Sequence, residues 1–158
     1  MERVSSMKRN TLLKPKTGSR NVDAYLFREQ VGFLLRVAYQ RHSAIFAARM
    51  TANVTQTQLA ALVALYKHGP CAHNELGQLI CLDAATIKGV VDRLRDGGLL
   101  DIRVNESDRR SRTVSLSPLG RQTVEIAIED GFRITEETLE PLSQDERGVF
   151  LDMLRRLG

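Results

Sequence analysis

The sequence of 158 residues has little of what several protein classes need. It has no Trp, an aromatic share of 5% and two cysteines, which is too few for a disulfide-stapled scaffold. No run reaches the roughly 18 apolar residues of a membrane span, and the first 20 residues lack the apolar stretch of a secretory signal. Four Pro and 11 Gly exclude collagen-like and low-complexity chains. We therefore expect a cytoplasmic globular protein with one well-developed core.

The net charge of +4 is unevenly distributed along the chain. Residues 1–20 carry a net charge of +5, residues 84–117 carry +2 and residues 118–158 carry −4. A basic beginning and a basic middle indicate a polyanionic partner that meets particular surfaces. A charged surface that only serves solubility is the alternative.

The first part of the chain changes character near residue 21. Residues 1–20 contain turn formers and no sustained periodicity, which predicts a flexible basic arm. From Asn21 to Ala48 the pattern is helical, with apolar residues on more than one face. Because one neighbour cannot cover such a helix, it belongs either to the centre of a larger core or to a subunit interface.

Two further helices are predicted before residue 81. The first covers Thr55 to His68, where Thr55 and Gln58 have the spacing of a capping box. Gly69-Pro70 ends it. A short helix over residues 72–80 follows, and its pattern turns three side chains inward: Leu76, Leu79 and Ile80.

A helix over residues 84–96 comes next, after the tight connection Cys81-Leu82-Asp83. Asp83 is a favourable N-cap for this helix, and Gly97-Gly98 can end it in a left-handed conformation. The spacing predicts a buried stripe of Ile87, Val90, Val91 and Leu94.

After Gly98 the periodicity changes from helical to alternating. Residues 99–104 and 113–116 are predicted as strands, and the polar loop 105–112 between them makes a hairpin with a basic tip. Ser117-Pro118 then opens a helix that runs to about Glu137. A last helix starts near Ser143 and carries Val149, Phe150, Met153, Leu154 and Leu157 on one side.

This order of elements is that of a winged helix-turn-helix, so we expect a mainly α fold with a small β-hairpin wing. The helix from Ala84 can enter the major groove of DNA, while arginines at a hairpin tip suit the narrow minor groove. The candidate DNA contacts are Ala85, Thr86, Lys88 and Arg93 on the helix and Arg109, Arg110 and Arg112 at the tip. A helical hairpin within a core and a solvated turn are the alternatives.

Residues 79–94, followed by Gly98-Leu99-Leu100, resemble the recognition segment of the MarR family of bacterial transcriptional regulators. The wing of that family reads Asp-x-Arg-Asp-x-Arg, which Asp108 and Arg110 match and which Asn105 and Ser107 do not. Gly89 stands where the family commonly has Arg, so Lys88 takes over base contacts in this interpretation. We expect Asp108 to hold a neighbouring wing arginine in place.

The resemblance spans roughly residues 22–157 and implies a homodimer on a pseudo-palindromic operator. Residues 21–158 then form a single MarR-like domain. In it, residues 21–54 and 118–158 are the helical dimerisation region, and residues 55–117 are the DNA-binding lobe. The family commonly responds to small aromatic acids or phenols that weaken DNA binding. The chain is most similar to the branch that represses the breakdown of nicotinate or related aromatic acids.

An aromatic carboxylate needs an apolar slot with one or two cationic or hydrogen-bonding groups. The polar cluster around the end of the first long helix supplies the candidates, which are Tyr39, His42, Ser43, Arg49 and Thr51. Interface packing is the alternative for Tyr39 and His42.

Other chemistries are less well supported by the residues. His68, Cys71 and His73 could hold zinc only if Glu75 or Cys81 completed the ligand set. Either cysteine could be a redox switch, although Cys81, between Ile80 and Leu82, is expected to be a buried apolar side chain. No phosphate-binding loop or nucleophile elbow is present, so we expect no cofactor and no catalysis. A winged helix used only for protein–protein assembly, and a thiol- or metal-sensing regulator, remain the alternative functions.

Overall fold

A computed structural model describes residues 25–104 and 112–158, and this part of the chain is mainly α-helical with one small antiparallel sheet. A short 3-10 helix covers Phe27–Glu29. The elements that follow are α1 (Val31–Arg49), α2 (Gln56–His68), β1 (Cys71–Ala72), α3 (His73–Leu79), α4 (Ala84–Asp96), β2 (Leu100–Val104), β3 (Arg112–Leu116), α5 (Pro118–Leu139) and α6 (Gln144–Arg155). No helix in this part of the chain is long and apolar enough to span a membrane.

Several sequence predictions lie outside the described residues. They are the basic arm over residues 1–20 and the wing-tip side chains Asp108, Arg109 and Arg110. The predicted helix from Asn21 to Ala48 begins within the undescribed residues 21–24. From residue 25 onward the α-helix starts only at Val31, because Gln30 has an extended backbone (φ −73°, ψ 138°).

The chain divides into two compact units, residues 1–35 and residues 36–158. In the described part of the first unit, the rings of Phe27 and Phe33 meet edge to face with 5.0 Å between their centroids. Gln30 Nε2 donates to the carbonyl oxygen of Leu26 at 3.0 Å. Most of the large apolar side chains here are exposed: Tyr25, Leu26, Phe27, Val31, Leu34 and Leu35.

In the second unit, side-chain caps start the helices where the sequence predicts. At α2, Gln58 N donates to Thr55 Oγ1 at 3.2 Å and Thr55 N donates to Gln58 Oε1 at 2.8 Å, which completes the predicted capping box. Ser143 and Glu146 form the same box at α6. Asp83 and Ser117 cap α4 and α5. These local bonds satisfy backbone N–H groups that the helices leave without partners.

The core of the second unit joins α2, α3, α4, the sheet and α5. Its most deeply buried large side chains come from each of these elements, and they are Leu62, Leu76, Ile87, Val90, Val91, Leu94, Val114 and Val124. The predicted inner stripe of α4 is therefore confirmed. The burial of this stripe fixes the opposite face of α4 toward solvent.

The sheet contains the predicted hairpin and one strand more. β2 and β3 pair antiparallel from Leu100 opposite Leu116 to Val104 opposite Arg112. On the other side of β3, Cys71 pairs with Val114 and Ala72 with Thr113, which gives the strand order β1-β3-β2. A two-residue strand is too short to show alternation in a sequence.

The turn between α3 and α4 corrects two burial predictions. Leu79 was expected to face inward, but 41% of it is exposed, because α3 ends at this residue. Cys81 was expected to be a buried apolar side chain, but it is exposed and has a left-handed backbone with φ 56°. At the other end of α4, Gly98 and not Gly97 is the left-handed glycine, with φ 73°.

A tight junction connects the end of α4, the sheet and the start of α5. Ser117 is buried, and its hydroxyl donates to the carbonyl oxygen of Gly98 at 2.6 Å and accepts from Gly120 N at 2.9 Å. Gly120 lies against the backbone of Leu99, where a Cβ would overlap the carbonyl oxygen. Glycine is therefore required at position 120 by packing.

We expect Gly120→Ala to destabilise the protein by about 1–3 kcal/mol or more, because the added methyl must push two backbones apart. Gly131→Ala is the matched control on α5, since a Cβ there has open space. It should stabilise the helix by about 0.5–1 kcal/mol. Urea unfolding of both variants measures the difference, and equal stabilities would contradict the junction described here.

Candidate nucleic-acid interface and adjoining cavity

The outward face of α4 carries the residues that the sequence assigned to DNA. Ala85, Thr86, Lys88 and Arg93 are all exposed, on the side away from the buried stripe. This face is continuous over about two turns of the helix. An exposed helix face of this kind has the shape that fits a major groove.

The first turn of α4 is held by Asp83. Its Oδ1 accepts from Ala85 N and Thr86 N, both at 2.9 Å, and its Oδ2 accepts from the Thr86 hydroxyl at 2.6 Å. The hydrogen bond from that hydroxyl is the main reason why the pKa of Asp83 lies below its ordinary value. The Thr86 proton is thus already committed, which leaves its methyl group as the part suited to a thymine methyl.

The cations of α4 differ in their acidic partners. Lys88 Nζ lies 3.7 Å from Asp92 Oδ2, and Arg95 contacts Asp92 at 3.3 Å and Asp96 at 2.8 Å. Arg93 contacts no acidic side chain among residues 25–104 and 112–158; its guanidinium lies beside Gly89 instead. Exposed pairs such as Lys88–Asp92 are weak, so phosphate can compete for the lysine.

Two exposed arginines stand at the base of the wing. Arg112 is the first residue of β3, and Arg103 lies on β2 opposite Thr113. Arg103 was missed in the sequence analysis. The alternation of residues 99–104 predicts that Arg103 lies on the face opposite Ile102, and this signal could have identified Arg103 as an outward residue.

His73, the first residue of α3, lies near both elements of this interface. Its Nε2 is buried and has no hydrogen-bond partner among the residues that the structure describes. Burial lowers its pKa, Asp92 raises it, and Arg112 and Lys88 lower it further. The imidazole is therefore neutral near pH 7.

The zinc candidates do not come together in the described residues, where no three His, Cys, Asp or Glu side chains form a metal-binding group. Cys71 is buried in the core. Burial, with a smaller contribution from Glu75, raises the pKa of its thiol, which disfavours the reactive thiolate.

A cavity of about 460 Å³ lies between α1 and the beginning of α2. Its lining carries no charged side chain. The lining residues come from α1, from the connection over residues 50–55 and from the first turn of α2, and they are Tyr39, Phe46, Ala47, Met50, Asn53, Val54, Thr55, Gln56 and Thr57. The Tyr39 hydroxyl donates to Gln56 Oε1 at 3.2 Å, and Gln56 Nε2 donates to Ser43 Oγ at 3.3 Å. Tyr39 and Ser43 therefore both contact Gln56. The sequence analysis did not identify Gln56 as a site residue.

The other three effector candidates face α5 instead. His42 Nδ1 lies 3.0 Å from Thr138 Oγ1. Arg49 forms a two-point contact with Glu137 at 2.7 and 3.2 Å, and this contact is the main reason why the pKa of Glu137 is lowered. The predicted cluster is thus divided into two groups. Tyr39 and Ser43 contact Gln56 at the cavity, and the other three residues form contacts with α5.

Thr51 is held by a buried carboxylate on α5. Asp130 is only 3% exposed, and its Oδ2 accepts from Thr51 N at 2.8 Å and from the Thr51 hydroxyl at 2.6 Å. These bonds, the hydroxyl first, lower the pKa of Asp130, and Arg133 at 3.5 Å adds to the effect. An acid on the buried stripe of Val124, Ala127 and Ile134 was the sequence feature that could have revealed this contact.

Comparisons with known proteins also support a DNA-binding role for this chain. The sequence model of the MarR family matches residues 54–111. The HTH-type transcriptional repressor NicR of Pseudomonas putida is 37% identical over 134 residues, which cover 84% of this chain and 85% of NicR.

Solved structures agree over a similar span. A probable transcriptional regulator from Pseudomonas aeruginosa is 44% identical, with a TM-score of 0.80 over 84% of this chain and 99% of its own. BpsR of Bordetella bronchiseptica, described in terms of regulation of its DNA binding by 6-hydroxynicotinic acid, is 38% identical. Its TM-score is 0.79 over 84% of this chain and 96% of its own.

We expect Asp130→Asn to lower the free energy of unfolding at pH 7 by about 1–3 kcal/mol, because charged hydrogen bonds in a buried site are lost. Since the native pKa of Asp130 is depressed, its contribution is present above the unfolded value near 3.9 and is lost as the pH falls through the native pKa. The difference from wild type should therefore shrink below about pH 4. Glu129→Gln, an exposed neighbour on α5, is the control in urea unfolding at several pH values. A constant difference at all pH values would contradict this role.

Proposed function

The chain belongs to the MarR family, and on that premise we propose that it is a transcriptional repressor that binds operator DNA as a homodimer and is released by a small aromatic carboxylate. The observation that carries the DNA-binding part is the exposed face of α4 with Lys88 and Arg93, next to Arg103 and Arg112 at the base of the wing. A helix in the major groove and an arginine-bearing wing in the minor groove form one continuous contact with duplex DNA. Asp108, Arg109 and Arg110 of the wing tip belong to this proposal by sequence.

The two-fold assembly is supported by exposed apolar side chains on several helices. On α1 they include Val31, Leu34, Leu35 and Val37, and on α6 they are Val149, Phe150, Met153 and Leu154. Apolar surface of this extent is unusual on a monomer, and a second copy of the chain can cover it. We assign residues 21–54 and 118–158 to this dimerisation region and residues 55–117 to the DNA-binding lobe.

The effector proposal rests on the cavity between α1 and α2. Phe46, Met50 and Val54 offer an apolar surface to an aromatic ring, and Tyr39 and Gln56 offer hydrogen bonds. None of the nine lining residues is charged. The positive end of the α2 dipole, at Thr55 and Gln56, is therefore the feature of the lining that favours a carboxylate.

His42, Arg49 and Thr51 take a supporting part in this proposal, because they fix the wall of the cavity to α5. The relatives add support, since one is a repressor named NicR and another is a regulator described with 6-hydroxynicotinic acid. A ligand that fits only one spacing of α1 and α2 shifts the protein toward that spacing. Release from DNA follows if this spacing differs from the one that the operator requires.

The protein should be a dimer at micromolar concentration, and its operator should have half-site centres about 10 bp apart. Light scattering measures the mass. Replacing Phe150 on α6 by Glu should shift the equilibrium toward monomer, whereas the exposed, polar Gln144 on the same helix should tolerate this change. A monomeric wild type would refute the assembly.

The DNA experiment titrates the protein against duplex DNA from upstream of its own gene at several salt concentrations. Lys88→Ala and Arg112→Ala should each weaken binding to all sequences and reduce the salt slope by about 1, if each side chain contacts one phosphate. Arg155→Ala on α6 is the control with the same loss of charge. Unchanged DNA affinity in both interface variants would refute the function and favour the protein-assembly alternative.

The effector experiment measures operator affinity with 6-hydroxynicotinate, nicotinate and 4-hydroxybenzoate. We expect one of these acids to reduce operator affinity by about 5- to 150-fold, and operator DNA to reduce acid affinity by the same factor. Tyr39→Phe should weaken acid binding, because the hydroxyl that lines the cavity and donates to Gln56 Oε1 is lost with little change in cavity volume. Tyr66→Phe, on the part of α2 outside the cavity, is the control. Equal acid affinity of the two variants would place the effector elsewhere.

A further inference from the structure

Gly89 is the only glycine within α4, and the packing of the fold does not require it. It lies in the second turn of a 13-residue helix, where glycine is less favourable than alanine. A Cβ at this position would meet only the guanidinium of Arg93, at ordinary van der Waals distances of 3.5–3.9 Å. By contrast, a Cβ at Gly77 would lie 3.1 Å from the carbonyl oxygen of Leu82, in the turn before α4. Gly77 serves the fold, and Gly89 does not.

The guanidinium of Arg93 occupies the space that a side chain at position 89 would fill. Nη1, Nη2 and Cζ all lie within 4 Å of the Cβ position of Gly89, so the planar group lies along the helix one turn toward its beginning. The side chain of Arg93 therefore places its positive charge near the middle of the exposed face of α4, although the residue itself belongs to the last turns of the helix. Glycine at position 89 lets both the guanidinium and the helix backbone come close to a surface on that side.

Arg93 also differs from the other cations of α4 in how easily its guanidinium can bind DNA, because the acidic partners of these cations differ. Lys88 and Arg95 both form ion pairs with Asp92, and Arg95 forms a second ion pair with Asp96. Arg93 has no such acidic partner in the described part of the chain. Arginine presents two parallel donors, which match O6 and N7 of guanine in the major groove.

We propose that Arg93, placed across Gly89, reads one guanine in each half-site of the operator, and that Gly89 is the position that makes this contact possible. The proposal rests on the proposed DNA-binding function and names its specificity-determining pair. Lys88 then contributes mainly through phosphate.

The test begins with selection of binding sites from a random-sequence DNA pool by the full-length wild-type protein. Every base pair of the selected half-site is then replaced in turn, and affinity is measured at one salt concentration. We expect one G·C pair at which replacement costs about 5- to 150-fold, equivalent to about 1–3 kcal/mol. In Arg93→Ala this dependence should disappear, while the dependence on the other pairs remains. Arg95→Ala, which removes the same charge from the same helix, should leave the base preferences unchanged.

Variants at position 89 separate base reading from helix stability. Gly89→Ala should raise the melting temperature by about 2–4 °C but reduce the guanine preference, because its methyl group would lie against the guanidinium and keep the helix backbone further from the DNA. Gly89→Leu should displace the guanidinium and lose the preference at the same base pair as Arg93→Ala. The double variant Gly89→Leu/Arg93→Ala should lose no further discrimination, since both changes remove one contact.

The outcomes distinguish this proposal from the function on which it rests. Equal weakening of all DNA sequences by Arg93→Ala would show a phosphate contact and overturn the proposal while DNA binding stands. Intact guanine preference in Gly89→Leu would overturn the role of position 89. A wild-type protein that selects no sequence would overturn both the proposal and the proposed function.

Discussion

A carboxylate buried on α5 determines the path of the chain between α1 and α2. Asp130 is charged and almost fully buried, so it requires donors, and Thr51 supplies two of them. This contact fixes the connection that begins at Met50 and leads to the capping box at Thr55. The connection forms part of the cavity wall, and α2, which follows it, packs in the same core as α4. The cavity and the orientation of the lobe therefore share one anchoring point.

The features that could be predicted from the sequence are those specified by neighbouring residues. The caps at Thr55 and Asp83 and the buried stripe of α4 depend on residues within one or two helical turns, and each is where the pattern predicted it. The strand β1 could not be predicted, because its two residues become a strand only by pairing with Val114 and Thr113. Cys81 was placed wrongly because its apolar neighbours hid a left-handed turn that exposes it.

The predicted effector residues were grouped wrongly for a different reason, which is that their positions around α1 were not considered. Helix geometry alone divides them into two groups. At 100° per residue, Tyr39 and Ser43 lie on one side of α1, and His42 and Arg49 lie together about 60–80° away from Tyr39. The structure follows this division, with Gln56 meeting the first pair and α5 the second. Gln56 and Asp130 escaped notice because their roles depend on contacts between segments distant in the sequence.

The division also constrains how a ligand could act on DNA binding. The hydrogen bond from Tyr39 to Gln56 joins α1 to the first turn of α2 across the cavity, while Asp130 holds the connection from the side of α5. A ring inserted between Phe46 and Val54 must either fit beneath the Tyr39–Gln56 bond or replace it, and replacement frees the start of α2 to move. Because α2 packs in the same core as α4, such a movement would change the position of the recognition face. Under the proposed function, a ligand in this neutral cavity would therefore change DNA binding through the packing of α2 and not through direct contact with DNA.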